Sequence, residues 1–305
     1  MMASVNTSWS GNIVGFLHDR YELGELLGAG SMGRVFAAHD KLLCIDVAVK
    51  MLNPDLLHSR KHMDLFTAEG TIASRMLSRH VVKVLGLAET FNGIPCIIYE
   101  RLEGETLGER IEREGGVSLT MTVEIVKQVS HALARAHSIG VIHRDVKPDN
   151  IFLTRDADGR LLVKLLDFGI ALTADSTGGY SHYYLAGTPE YMAPEVLLAT
   201  GAVDRCGDIY ALGVVAFECL TGRCPVAGPI EVVAASLRAG TRAPFTELRP
   251  DLQGSVDAWM DRALHPDPFW RFGSIKELRD GLEDAIGSST KTGPMHVVTS
   301  TLRAA

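Results

Sequence analysis

The run HRDVKPDN places a basic residue, a carboxylate, a lysine and an amide within eight positions: Arg144, Asp145, Lys147 and Asn150. Seventeen residues after Asn150 comes Asp167, opening the triplet Asp167-Phe168-Gly169. A carboxylate ionised at neutral pH can take a hydroxyl proton, and a cation two residues on supplies a point charge for a transferring phosphoryl group. An amide oxygen and a second carboxylate are ligands suited to a hard cation. Together these are the needs of phosphoryl transfer, in which a triphosphate is held, its charge neutralised and an acceptor oxygen aimed in line. Upstream, Gly28, Gly30 and Gly33 form GxGxxG within GAGSMGRV, and glycine lets a backbone approach phosphate oxygens closely. On its own that loop is equally a dinucleotide fingerprint or an ordinary turn, and Lys50, at the end of VAVK, is equally a solubilising lysine at a strand edge.

The flanking elements discriminate between these readings. A dinucleotide loop leads into a helix, whereas RVFAAHD followed by DVAVK reads as strand, turn, strand. From Tyr21 to about Arg101 the pattern is strand-like, and one helix is predicted around DLFTAEGTIASRML, with Phe66, Ile72, Ala73, Met76 and Leu77 at roughly helical spacing. From about Thr106 the pattern becomes helical. Val123, Val126, Val129, Leu133, Ala136 and Ile139 form a stripe that Gly140 stops. Asp158-Gly159 reads as a hairpin turn, and Ser274 with Glu277 as a capping box opening the last helix. Residues 1–20 are expected to be a loosely held extension and 287–305 a flexible tail, since both are rich in small polar residues.

With GTPEYMAPE (Gly187 to Glu195) added downstream, the pieces in this order and at these distances resemble the protein-kinase signature set. The chain is similar to the bacterial branch of the eukaryotic-like Ser/Thr protein kinases over about residues 21 to 286. The resemblance implies an α+β, two-lobed fold, with an antiparallel sheet and one main helix in about 21–101 and a mainly helical lobe in about 102–286. It implies ATP as substrate, Mg²⁺ as cofactor and proteins as acceptors. By resemblance, Asp145 and Lys147 are catalytic, and Asn150 and Asp167 hold the metal. Lys50, oriented by Glu69, holds the α- and β-phosphates, under a loop of Gly28, Ala29, Gly30, Ser31 and Gly33. Leu27, Val35 and Ala48 roof the adenine, Phe152 floors it, Tyr99 closes the pocket behind it, and main-chain groups of Glu100 and Leu102 meet its edge. Phe168 packs to orient Asp167, Thr188 lies near Asp145 and Lys147, Glu195 pairs with Arg271, and Asp208 braces the catalytic loop from below.

Lys147 two residues after Asp145, and Gly187-Thr188-Pro189 before the APE triplet, match the Ser/Thr rather than the tyrosine branch. Arg144 before Asp145 marks relatives whose activation segment is ordered by phosphorylation, because a guanidinium binds a phosphate bidentately. Thr173, Ser176, Thr177 and Ser181 are the candidate acceptors, with Ser176, Thr177 or Ser181 expected, and self-association would serve autophosphorylation in trans. Two rivals are a nucleotide-sensing scaffold and a small-molecule phosphotransferase. The first is disfavoured by the presence of Lys50, Asp145, Asn150 and Asp167, the second by Glu195 and Asp208.

The composition fits this reading. A formal net charge of -7 leaves no basic excess for a nucleic-acid partner. The five cysteines contain no CxxC pair, and no histidine pair has HExxH spacing, so free thiols in a cytoplasmic protein are expected rather than disulfides or zinc. The start lacks a secretory signal, and the most apolar run, Ile209 to Leu220, is too short to span a bilayer and reads as a buried helix.

Overall fold

A computed structural model of the chain describes residues 16–168, 188–201, 204–252 and 254–289. Its first part is a six-stranded antiparallel sheet of Phe16–Leu17 (β1), Tyr21–Ala29 (β2), Gly33–Asp40 (β3), Ile45–Leu52 (β4), Val84–Glu89 (β5) and Pro95–Glu100 (β6), in the order β1-β2-β3-β4-β6-β5. The alternation that marks half-buried strands is carried by Tyr21, Leu23, Phe36, Ala38, Val47, Val49 and Met51, all buried. The single helix of this lobe, Arg60–Ser74 (α1), lies on the sheet through Phe66, Gly70 and Ala73. A Cβ at Gly70 would press on Leu87 and Ile97, so this glycine sets how closely the helix approaches.

The helix starts four residues before the expected one, because the Ser59 hydroxyl accepts from His62 N and caps it. It also ends earlier, at Ser74: Met76 is buried beyond the helix, and Leu77, expected in the apolar stripe, is 82% exposed. The N-terminal boundary differs too. β1 and the turn His18–Arg20 belong to the folded part, and Arg20 donates to Asp40 from Nε and Nη2 at 3.0 and 2.7 Å.

Past β6 come Glu105–Thr106 (β7), Leu107–Glu114 (α2) and Leu119–Ser138 (α3). Thr106 and Glu109 form a capping box at the start of α2, and Ser118 caps α3. Val126, Val129, Leu133 and Ala136 of the expected stripe are buried in α3, and Ile139 sits at the helix end, 40% exposed, before Gly140 at φ 75°. Ile151–Arg155 (β8) and Leu161–Leu165 (β9) form a hairpin whose turn is organised by the Asp156 carboxylate and left-handed Gly159. β7, β8 and β9 make a three-stranded sheet.

The remaining described helices are Pro194–Leu197 (α4), Arg205–Thr221 (α5), Ile230–Ala239 (α6), Phe245–Leu248 (α7), Ser255–Ala263 (α8) and Ile275–Ser289 (α9). α5 carries the Ile209–Leu220 run and is the buried axis of the second hydrophobic core, with α3, α8 and α9 packed around it. Among the described residues no helix is long and apolar enough to cross a membrane. At α9 the Ser274 hydroxyl accepts from Glu277 N, but the Glu277 carboxylate accepts from Gly273 N, one residue earlier than a standard box. The helix runs to Ser289, two residues past the expected start of the tail.

Candidate active site

Both faces of the site are built on strand ends and short loops between the two cores. Lys50, on β4, is buried, and its Nζ lies 2.7 Å from Glu69 Oε1 on α1 and 2.9 Å from Asp167 Oδ2 just past β9. The Tyr99 hydroxyl on β6 donates to the same Glu69 oxygen at 3.3 Å. Burial alone would lower the Lys50 ammonium, but Asp167 and then Glu69 more than offset it and hold it raised and charged. Burial pushes Glu69 up to about 7, Lys50 opposing and the Asp167 charge adding to the rise. Asp167 is half-exposed, and although desolvation opposes, Lys50 holds its carboxyl below the usual range. One lysine shared by two carboxylates thus favours the charge on the more open of the two.

Asp145, Lys147 and Asn150 sit on one loop between α3 and β8. Asn150 Nδ2 donates to the carbonyl and the carboxylate of Asp145, both at 2.8 Å, which leaves its amide oxygen as an acceptor. Lys147 Nζ is 3.1 Å from Asp145 Oδ2 and donates to Thr188 Oγ1 at 3.3 Å. Beneath the loop Asp208, on α5 and 1% exposed, accepts from His143 N at 2.9 Å, Arg144 N at 2.8 Å and His137 Nε2 at 2.7 Å. Those bonds hold Arg144 at φ 69°, in the left-handed region. His143 is fully buried, donates Nε2 to Leu166 O at 3.0 Å and packs on Phe168, ring centres 4.7 Å apart. The oxygen-only pair Asp167 and Asn150 suits Mg²⁺.

The glycine loop joins β2 to β3 and no helix follows it, with Gly28 opposite Val35 and Val35 opposite Lys50 in register. Gly30 N donates to Gly33 O at 2.9 Å, and Asn53 Nδ2 donates to the carbonyls of Gly30 and Ser31 at 3.1 and 2.8 Å. A Cβ at Gly33 would collide with the Met51 carbonyl, so that glycine serves strand packing. At Gly28 a Cβ would meet nothing, and space remains for a ligand along the backbone. Ala29 pairs with Arg34 beside it. Leu27 is exposed on β2, Val35 and Ala48 are half-buried on β3 and β4, and Ala48 is opposite Tyr99. Glu100 ends β6, Leu102 packs partly against the first core, and Phe152 stands half-buried on β8. Glu89 lies on β5, whereas Glu69 is the carboxylate at Lys50.

Glu195 and Arg271 form a bidentate pair, 2.7 Å in each arm, both residues buried. Thr173, Ser176, Thr177, Ser181 and Gly187 lie outside the described residues. The five cysteines are free thiols. Sequence reasoning missed Asn53, His137 and Lys164. Each acts through a long-range bond, two of them to main-chain or buried carboxylate atoms that no local pattern displays.

A model of the protein kinase domain matches residues 21–278. The serine/threonine-protein kinase PknB of Mycolicibacterium smegmatis is 36% identical over 273 residues, covering 87% of this chain and 43% of that protein. Pkn1 of Myxococcus xanthus is 35% identical over 291 residues, covering 92% of this chain and 41% of that protein. The chain therefore spans about two fifths of the length of these relatives. Among solved structures, the Mycobacterium tuberculosis PknI kinase domain superposes with a TM-score of 0.69 at 28% identity, covering 89% of this chain and 98% of that one. With the strand-borne lysine, the loop carboxylate and the sheet-plus-helix lobe above them, these matches show that the chain belongs to the protein kinase domain family.

Proposed function

We propose that residues of about 21–286 form a catalytic domain that moves the γ-phosphoryl group of ATP to Ser/Thr hydroxyls of protein substrates in the cytoplasm, where ATP is available. The observation that carries the reading is the meeting of Lys50, Glu69 and Asp167 at one end of the cleft with Asp145, Lys147 and Asn150 at the other. In this reading the acceptor oxygen bonds to the γ-phosphorus as the bond to the β,γ-bridging oxygen breaks, ADP leaves and the hydroxyl proton passes to Asp145. Lys147 faces the charge on the transferring group, and Lys50 aligns the α- and β-phosphates. Asp167 and Asn150 would hold Mg²⁺, which when bound neutralises phosphate charge. Glu100 and Leu102 offer main-chain groups to the adenine. The Thr188 contact to Lys147 and the names of the relatives support a Ser/Thr rather than a tyrosine acceptor.

Control by autophosphorylation in trans is part of the reading. Arg144 Nε is buried with no hydrogen-bond partner among the described residues, as a guanidinium awaiting an anion would be. Ser176, Thr177 and Ser181 are the expected acceptors. The test is the pure chain with labelled ATP, Mg²⁺ and a generic protein acceptor, beside Asp145→Asn. Label should enter protein, Asp145→Asn should abolish transfer with nucleotide affinity nearly intact, and mass spectrometry should find phosphate between residues 170 and 186. Nucleotide binding without transfer would favour a scaffold, transfer only to small molecules a metabolite kinase, and full activity with no phosphate in that segment would end the autophosphorylation reading.

A further inference from the structure

In an antiparallel ladder, two facing residues commonly exchange both main-chain bonds. At the end of β6 only one is exchanged. Glu100 N donates to Lys83 O at 2.9 Å, but Lys83 N donates to the Glu100 carboxylate, at 2.8 Å, instead of the Glu100 carbonyl. A side chain has taken the ladder position of its own backbone. The same carboxylate oxygen, Oε1, receives Lys164 Nζ from β9 at 2.6 Å. Lys164 is 8% exposed, so its ammonium depends on that carboxylate, and the carboxylate is fixed in turn. The surrounding segment is stitched to the same strand, with Leu165 N donating to His80 O at 2.8 Å, Val82 N to Leu165 O at 3.0 Å and His80 Nδ1 3.1 Å from Val163 O.

We propose that Lys164 is a positioning residue for the nucleotide base: by holding the Glu100 carboxylate on Lys83 N, it keeps the Glu100 carbonyl available to accept from the exocyclic amine of adenine. The inference rests on the kinase reading and adds a residue outside the cleft's own lining. It has a chemical signature. A purine with an oxo group in place of that amine presents an acceptor to an acceptor, so the site should prefer adenosine to inosine, and that preference should depend on Lys164.

Calorimetry with adenosine, inosine and inorganic tripolyphosphate on the whole chain tests this. Lys164→Met should weaken adenosine about tenfold, the worth of one charge-assisted hydrogen bond, and erase most of the adenosine-over-inosine preference. Tripolyphosphate affinity should be unchanged, KM for ATP should rise with kcat held, and Lys164→Arg should restore adenosine binding. Glu100→Gln keeps an acceptor for Lys83 N but removes the ion pair, and should show the same loss of base preference. It decides the matter if Lys164→Met does not fold. An adenosine affinity within about twofold of the parent chain, or a loss shared equally by inosine and tripolyphosphate, overturns the proposal. A parent chain that binds neither adenosine nor tripolyphosphate refutes the kinase reading itself, and this inference with it.

Discussion

Asp208→Asn is the sharpest single test of how the fold sets the catalytic loop. Oδ2 of Asp208 accepts from both His143 N and His137 Nε2, and Oδ1 accepts from Arg144 N alone. An asparagine therefore keeps most by leaving its oxygen at the Oδ2 position and turning its amide toward Arg144 N, donor against donor. The change removes one bond to a charged acceptor, about 1.5–3 kcal/mol, and strands a buried N–H. A total near 3 kcal/mol is expected, or roughly 4–6 °C in melting temperature for a chain of this size. The lost bond is also one of those that hold Arg144 at φ 69°, a backbone state that costs about 1–3 kcal/mol without support. Relaxation of Arg144 moves Asp145, its neighbour, and a displacement of about 1 Å at a catalytic group can cost on the order of a hundredfold in rate. Kinetics normalised to folded protein should then show kcat reduced about tenfold to a hundredfold with KM for ATP little altered, because Lys50 and the hinge are untouched. Parent-like stability, or a destabilised variant with parent-like kcat per folded molecule, would refute the argument.

Glu195→Gln should cost about 3–5 kcal/mol in urea denaturation, since it leaves the buried Arg271 guanidinium without a counter-charge: the carbonyls of His265, Pro266 and Cys206 remain and one arm keeps the amide oxygen, but the other faces the amide NH2, donor against donor. The double variant with Arg271→Met should be less destabilised than the two single changes added together, and strict additivity would deny the coupling. Glu69 gives a pH signature. Its carboxyl is raised from an ordinary 4.5 to about 7, so the stability that goes with its protonated form is complete below 4.5 and lost as pH rises through 7. Glu69→Gln cannot ionise, and its stability relative to the parent chain should therefore rise by about 1–3 kcal/mol between roughly pH 5 and pH 8, even as phosphoryl transfer falls. A difference that stays flat with pH would show that Glu69 is fully ionised throughout.

What the sequence displayed and what it hid divide along one physical line. Asp145, Lys147 and Asn150 bond to one another over five residues, so their spacing is the geometry, and it was legible at once. Lys50 and Glu69 are nineteen residues apart, and Glu69 was found although the helix bounds were not. The Ser59 cap precedes a polar first turn, RKHMD, which hides the start of α1, and Gly70 packs as closely as any apolar residue without looking like one. β1 is two residues long, too short for any period to register, and falls inside the stretch whose composition predicts an extension. Lys164 is the one charged residue of LLVKLL, yet it is buried, with its charge met by a Glu100 carboxylate that also accepts from Lys83 N. A side chain whose partner is another side chain on its own loop leaves a trace in spacing. One whose partner is a backbone atom brought up by another strand leaves none, since every residue type offers the same amide. For that reason the reacting groups of this cleft can be read from the chain, whereas residues that support them (His137 behind Asp208, Asn53 behind the glycines, Lys164 behind the hinge) are identified by their hydrogen bonds.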